Sequence, residues 1–278
     1  MSWGQPAADQ SPRVFPQRRL VLVIVAFHPS LREVERLASC LKALAAWIGV
    51  VVVANDHKFG EPVDRLSPIA DLFLRSSDNL GYGRAVNLAV ATLQSSGRLP
   101  PLIGALNTDL GWSSGSIESL GEWLEAHPEV VLAVPRIEDP AGQEQALCKQ
   151  DPTLLALLSR RFWPQWLKPA WLRRYDADYV MVDSDLNGVF DVPYLSGCCM
   201  LIRSRAFLEV GGFDPRFFLY LEDADLTRMM RARGRCVHLP VASIQHNWGR
   251  GNHHSWWLTL VNFQSAWLYF RKWGFRWL

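Results

Sequence analysis

The sequence predicts an α/β protein built on a doubly wound, mostly parallel, Rossmann-like sheet. Two observations predict it. Short β-branched runs alternate with segments of helical period along most of the chain, and polar residues gather where the predicted strands leave the sheet. With 278 residues, 49% of them apolar, the chain has material for one large core or two small ones.

The apolar run LVLVIVAF at 20–27 is too short for a bilayer and suits a buried first strand. Pro29 and Ser30 follow, and then Leu31, Val34, Leu37, Ala38, Leu41 and Leu44 repeat at the i, i+3, i+4, i+7 spacing of a helix packed on a sheet. GVVVVA at 49–54 and DLFLR at 71–75 predict the second and third strands, and Ala85, Leu88, Ala89 and Leu93 mark the next helix. PLIGALNTD at 101–109 predicts a fourth strand with a polar end. GSIESLGEWLEA is a helix closed by Pro128, and VVLAVP a fifth strand. From Arg136 to Val192 the period is lost and Pro, Arg and Trp collect, so residues 136–192 are expected to be an insertion over one face. CCMLIR at 198–203 is a last apolar strand, followed by a short helix and the Gly211-Gly212 break. Residues 1–18 form a polar extension without the pattern of a signal peptide, 19–254 the main domain, and 255–278 a Trp-rich terminal helix.

A formal charge of +2 argues against nucleic acid as the main partner. Five cysteines without metal-binding spacing point to a reducing, cytoplasmic setting.

Four stretches carry candidate chemistry. LNTDLGW places Asn107 and Asp109 at a strand end, where their oxygens suit a hard cation such as Mg2+ or Mn2+, or else simply close an Asx-turn. SDNLGYGRAVNLAV puts Gly81 and Gly83 before a helix with Arg84 beside them, either a phosphate-approach loop or an ordinary glycine turn. FLYLEDADL sets Glu222, Asp223 and Asp225 within four positions. Glu222 or Asp223 fits a cap on a helix over 224–233, yet three crowded carboxylates exceed what a cap needs, and their repulsion favours a raised pKa suited to a general base. QHNWGRGNHH offers His246 after the VASI strand as a metal ligand, with Arg250, His253 and His254 in a loop. The terminal segment SWWLTLVNFQSAWLYFRKWGFRWL combines Trp with Arg271, Lys272 and Arg276; that composition suits either peripheral contact with an anionic membrane or packing on the domain or a second subunit.

Together these stretches resemble the family 2 inverting glycosyltransferases of the GT-A fold, particularly the rhamnosyltransferase-like branch that builds bacterial surface polysaccharides. LVLVIVAFHP is similar to that family's opening strand, DNLGYGRAVNLAV to its helix-leading motif, LNTD to its D-x-D-like metal motif, and SGCCMLIRSRAFLEVGGFDPRFFLYLEDADL to its acceptor-side signature. The resemblance implies transfer with inversion from a nucleotide-sugar donor, dTDP-L-rhamnose above all, to a saccharide or lipid-linked saccharide. It further implies Asp223 as catalytic base with Glu222 beside it, Asp109 and His246 at the metal, and donor contacts from His28, Asp56, Asn79, Gly81, Arg84 and Asn107. Departures stand at Ala54, Asn55, Asp56 and His57, where the family has Asp-Asn followed by Gly or Ser, and at His28, where Asn is common. A sugar nucleotidyltransferase would instead carry a glycine-rich basic loop after strand one, where this chain has AFHPSLRE. A non-catalytic nucleotide-sugar or glycan binding module is the remaining alternative.

Overall fold

The computed structural model describes residues 18–247 and 256–278. Residues 1–17 of the predicted extension, and Arg250, His253 and His254 of the glycine-rich loop, lie outside the described residues.

Four parallel strands, β1 (Leu20–Ala26), β2 (Ile48–Ala54), β3 (Leu72–Arg75) and β4 (Leu102–Asn107), form one half of the sheet. Their Val, Ile and Leu side chains are buried along nearly the whole of β1, β2 and β4, because helices cover both faces. Helix α1 (Leu31–Lys42) starts on a capping box: Ser30 Oγ accepts from Glu33 N–H and the Glu33 carboxylate accepts from Ser30 N–H. Helices α2 (Tyr82–Ser95) and α3 (Ser116–Ala126) follow the predicted periodicity.

The second half contains β5 (Leu110–Trp112), β6 (Val130–Glu138), β10 (Cys199–Arg203) and β11 (Arg235–His246), with the two-residue strand β8 (Phe190–Asp191) on β11. The order β3-β2-β1-β4-β10-β6-β11-β5 places β10 antiparallel between β4 and β6. Topology accounts for the reversal: the insertion lies at the carboxyl edge of β6, so β10 begins at that edge, Cys199 opposite Leu106, and must run back across the sheet. Strand β11 spans twelve residues, starting well before the VASI segment.

Within the insertion, β7 (Cys148–Lys149) pairs with β9 (Tyr194–Leu195), and two helices form, α4 (Leu154–Phe162) and α5 (Ala170–Tyr179). Periodicity does not reveal them because their outward sides expose Leu158, Phe162 and Trp171, which blurs the polar face. After the short helix α6 (Ser204–Glu209), helix α7 spans Glu222–Met230, two residues earlier than predicted at its start. Its cap position is Leu221, so neither Glu222 nor Asp223 occupies that place, although Asp223 Oδ1 does accept from Ala224 N–H at 2.9 Å. Tyr220 and Leu221 are both left-handed, with φ of 71° and 61°, a conformation that non-glycine residues hold only under tertiary constraint.

Helix α8 (Trp256–Trp273) buries Val261, Tyr269 and Phe270, and the last two join Phe217, Leu221 and Tyr194 in a second small core. No described helix is long and apolar enough to cross a membrane.

Candidate active site

Strand β1 lies between β2 and β4, so chain connections leave it in opposite directions and a crevice opens at the carboxyl ends. His28 follows β1, Asn55 and Asp56 follow β2, and Asn107 ends β4. His28, with φ of 44°, places Nδ1 2.6 Å from Glu61 and Nε2 3.0 Å from Asp56. The Asp56 hydrogen bond raises its pKa, with Glu61 adding to the effect against some desolvation. Beside them, Asn55 Nδ2 donates to Asn79 Oδ1 at 3.0 Å, Leu80 N–H to Asn55 Oδ1 at 2.7 Å, and Gly81 N–H to Asn79 Oδ1 at 3.0 Å. The Asn79 oxygen is thus committed to shaping its own loop. Gly81 has φ of 76°, and a Cβ there would collide with the carbonyl oxygen of Phe218, so the close approach it allows is to protein backbone. Arg84 Nε donates to the Pro215 carbonyl at 2.6 Å and ties α2 to the segment before α7.

The antiparallel pairing of β5 with β11, His246 opposite Leu110, brings together residues 137 positions apart. His246 Nε2 lies 3.1 Å from Asp109 Oδ2, and its Nδ1 lies 2.9 Å from Gln145 Oε1. Gln145 Nε2 donates back to the His246 carbonyl at 3.2 Å, which orients the amide so that its oxygen accepts from Nδ1–H. The Nε2 edge of the ring is thereby turned to the Asp109 carboxylate, which sets one nitrogen and one oxygen donor side by side. Among the described residues, the buried Asp109 Oδ1 has no hydrogen-bond partner. These donors fit a divalent ion that takes its remaining ligands from phosphate oxygens. Among the described residues no group of three His, Cys, Asp or Glu side chains is placed to hold a metal alone.

Glu222 and Asp223 at the start of α7 share with His246 a cavity of about 680 Å3, whose wall also includes Asn107, Lys149 and Gly197. Asp223 Oδ2 accepts from Gly197 N–H at 2.9 Å and faces the Tyr194 hydroxyl at 3.4 Å. Only glycine allows that approach easily, since a Cβ at Gly197 would lie 3.1 Å from Asp223 Cβ. Glu222 is buried, and among the described residues its Oε2 has no hydrogen-bond partner. Burial raises the pKa of both carboxyls, reinforced at Glu222 by the charge of Asp223 and opposed at Asp223 by Lys149 and by its backbone donors. Asp225, two residues on, is itself fully buried and lines no part of the cavity; it contacts the partly buried Lys272 and Trp273 of α8.

The structure therefore brings Asn107, His246, Glu222 and Asp223 to one cavity, with Asp109 joined to it through His246. His28, Asp56, Asn79, Gly81 and Arg84 line no part of this cavity and lie along the crevice side instead. Sequence reasoning missed Lys149, Gln145, Tyr194 and Tyr82, whose buried hydroxyl has no hydrogen-bond partner among the described residues. Lys149, Gln145 and Tyr194 belong to the aperiodic insertion and its exit, where sequence carries no positional signal. Lys149 Nζ donates to Ser196 Oγ at 2.8 Å and sits 4.5 Å from the Tyr194 ring centre, and burial lowers its pKa.

No protein-family model matches the chain. It is 29% identical over 268 residues to the N-acetylglucosaminyl-diphospho-decaprenol L-rhamnosyltransferase of Mycobacterium tuberculosis, covering 89% of this chain and 86% of that protein. Its fold is similar to that of a mannosyltransferase from Pyrobaculum calidifontis in complex with GDP-Man and Mn2+, with a TM-score of 0.59 at 15% identity over 96% of this chain and 67% of the other. GalNAc-T7 with UDP, GalNAc and Mn2+ superposes with a TM-score of 0.58 at 13% identity, over 84% of this chain and 44% of that one. The fold is that of the GT-A glycosyltransferases.

Proposed function

We infer that this chain, a rhamnosyltransferase-like glycosyltransferase of the GT-A fold, moves L-rhamnose from dTDP-L-rhamnose to a hydroxyl of a lipid-linked saccharide with inversion, in bacterial surface polysaccharide synthesis. The observation that carries the reading is the Asp223 carboxylate, fixed by the Gly197 and Ala224 backbone donors and turned to the cavity that His246 and Asn107 also line. A fixed acceptor-only group with a raised pKa is what proton removal from an alcohol requires.

Asp223 takes the proton of the acceptor hydroxyl. The hydroxyl oxygen forms its bond to the anomeric carbon on the face opposite the leaving group, and the bond from that carbon to the diphosphate oxygen breaks with its electron pair going to the nucleotide. No carboxylate nucleophile is needed in a single displacement, and the transition state is oxocarbenium-like. Asp109 and His246 would hold Mg2+ or Mn2+, which as a Lewis acid would neutralise charge on the departing diphosphate. Glu222, buried beside Asp223, adds a like charge that opposes ionisation of both carboxyls. The exposed Trp256, Trp257, Trp267 and Trp277, together with Arg271 and Arg276, give the α8 end of the chain the composition of a peripheral membrane contact on the cytoplasmic side.

The test is Asp223→Asn, measured as dTDP release and as glycosylated product. We expect kcat to fall by about 10^3 while dTDP-L-rhamnose binding changes by less than about twofold. Retained turnover removes Asp223 from the role of base, and failure of the wild type to transfer across donors favours a binding module.

A further inference from the structure

A second cavity of about 290 Å3 adjoins the first at Asp223, and the two share Lys149, Arg160, Tyr220, Glu222 and Asp223. At Leu157, Arg161 and Asn262 it meets an apolar groove between α4 and α8 that continues over Leu158, Phe162, Phe263 and Ala266. The groove residues Leu158, Phe162 and Phe263 are partly exposed, and beyond them Trp163, Leu260 and Trp267 are exposed as well.

The chemistry along this path is graded: a carboxylate, then the cations Lys149, Arg160 and Arg161, then hydrocarbon. Among the described residues none of the three cations has a carboxylate within ion-pair distance, whereas nearby Arg231 and Arg276 pair with Asp151, Lys168 with Asp176 and Lys272 with Asp225. Lys149 and Arg160 make ring contacts, with Tyr194 and Tyr179 respectively, and Arg161 donates to the Thr259 hydroxyl. Cations at a cavity wall that no carboxylate neutralises at ion-pair distance favour the binding of an anion. An amphiphile with a polar head, an anionic middle and an apolar tail matches the path in order and in sign.

We propose that this path is the acceptor subsite, in which Arg160 and Arg161 bind the diphosphate of a polyprenyl-diphosphate-linked saccharide, the α4–α8 groove takes its first isoprene units, and the sugar hydroxyl is delivered to Asp223. The assignment rests on the glycosyltransfer reading for its saccharide, but the lipid diphosphate site is testable without turnover. Arginine suits the task because its planar fork binds phosphate oxygens bidentately.

The experiment is calorimetric titration of the full chain with farnesyl diphosphate in EDTA, so that no metal-dependent diphosphate site contributes. The wild type should bind it, and inorganic pyrophosphate about tenfold more weakly because the groove is unused. Arg160→Gln with Arg161→Gln should weaken farnesyl diphosphate by at least about tenfold, with partial recovery in Arg160→Lys with Arg161→Lys, whereas Asp109→Asn should leave it within about twofold. A wild type that does not bind, or a loss confined to Asp109→Asn, overturns the proposal. If farnesyl diphosphate follows the arginines and no sugar is transferred to any acceptor, the lipid site stands and the transferase reading fails.

Discussion

The buried Asp225 and the partly exposed Lys272 form an ion pair, Lys272 Nζ 2.8 Å from Asp225 Oδ2, that ties the first turn of α7 to the last turn of α8. Trp273 Nε1 donates to the other carboxylate oxygen at 2.7 Å. From the sequence this residue reads as first-turn charge, yet its position fixes the helix that walls the α4–α8 groove.

Removing one partner of a buried pair leaves an uncompensated charge. Asp225→Asn should therefore destabilise the fold by about 2 kcal/mol, moderated because Lys272 also reaches Asp214 at 3.2 Å. Lys272→Met, which leaves Asp225 buried without its cation, should cost about 3 kcal/mol or more. Urea unfolding measures both, and unchanged midpoints would show the pair to be energetically idle.

The carboxyls of Glu222 and Asp223 titrate above their ordinary values because burial disfavours their charge. At acid pH both folded and unfolded states hold these protons, and the stability associated with them is fully present. As pH rises past about 4, where exposed carboxylates ionise, the unfolded chain releases protons that the native pair retains, so stability falls with rising pH through the raised pKa values. Glu222→Gln keeps the shape and removes one of these ionisations. Its stability relative to wild type should increase steadily between about pH 5 and pH 8, as read from denaturation midpoints at each pH; a constant difference would place the pair's titration elsewhere.

Asp109 and His246 should act together on a divalent ion. With dTDP present, Mn2+ should raise the melting temperature of the wild type, and the rise should vanish in Asp109→Asn. His246→Gln should shift the Mn2+ concentration dependence upward by about tenfold. An Mn2+ response that survives both changes would mean that the ion is held elsewhere.

Gly81→Ala tests the contact between α2 and the segment before α7. The left-handed backbone and the Phe218 carbonyl both oppose a Cβ, so a loss of at least about 2 kcal/mol is expected, with catalysis falling because the α7 approach must move. A thermal unfolding curve matching wild type would refute the close approach as a constraint.

Much of the architecture was legible because burial on both faces forces near-continuous β-branched strands, and because packed helices must repeat at 3.6 residues. β1, β2, β3, β4, α1, α2 and α3 follow from those patterns alone. The insertion was opaque for the opposite reason: α4 and α5 expose large apolar side chains, so their periodicity does not separate core from solvent. Lys149 and Gln145 were hidden with it, since their roles depend on where β7 and the preceding loop meet β9 and β11, not on any local spacing.

At residues 222 to 225 the division is sharpest. Sequence by itself determined that three carboxylates begin a helix, that they exceed what capping needs, and that Asp109 and His246 are oxygen and nitrogen donors at strand ends. Only the tertiary structure decided which carboxylate does what. A helix turns about 100° per residue, so adjacent acids face different neighbours. Asp223 meets the Gly197 amide and the cavity, Glu222 is sealed beside it, and Asp225 turns back to Lys272.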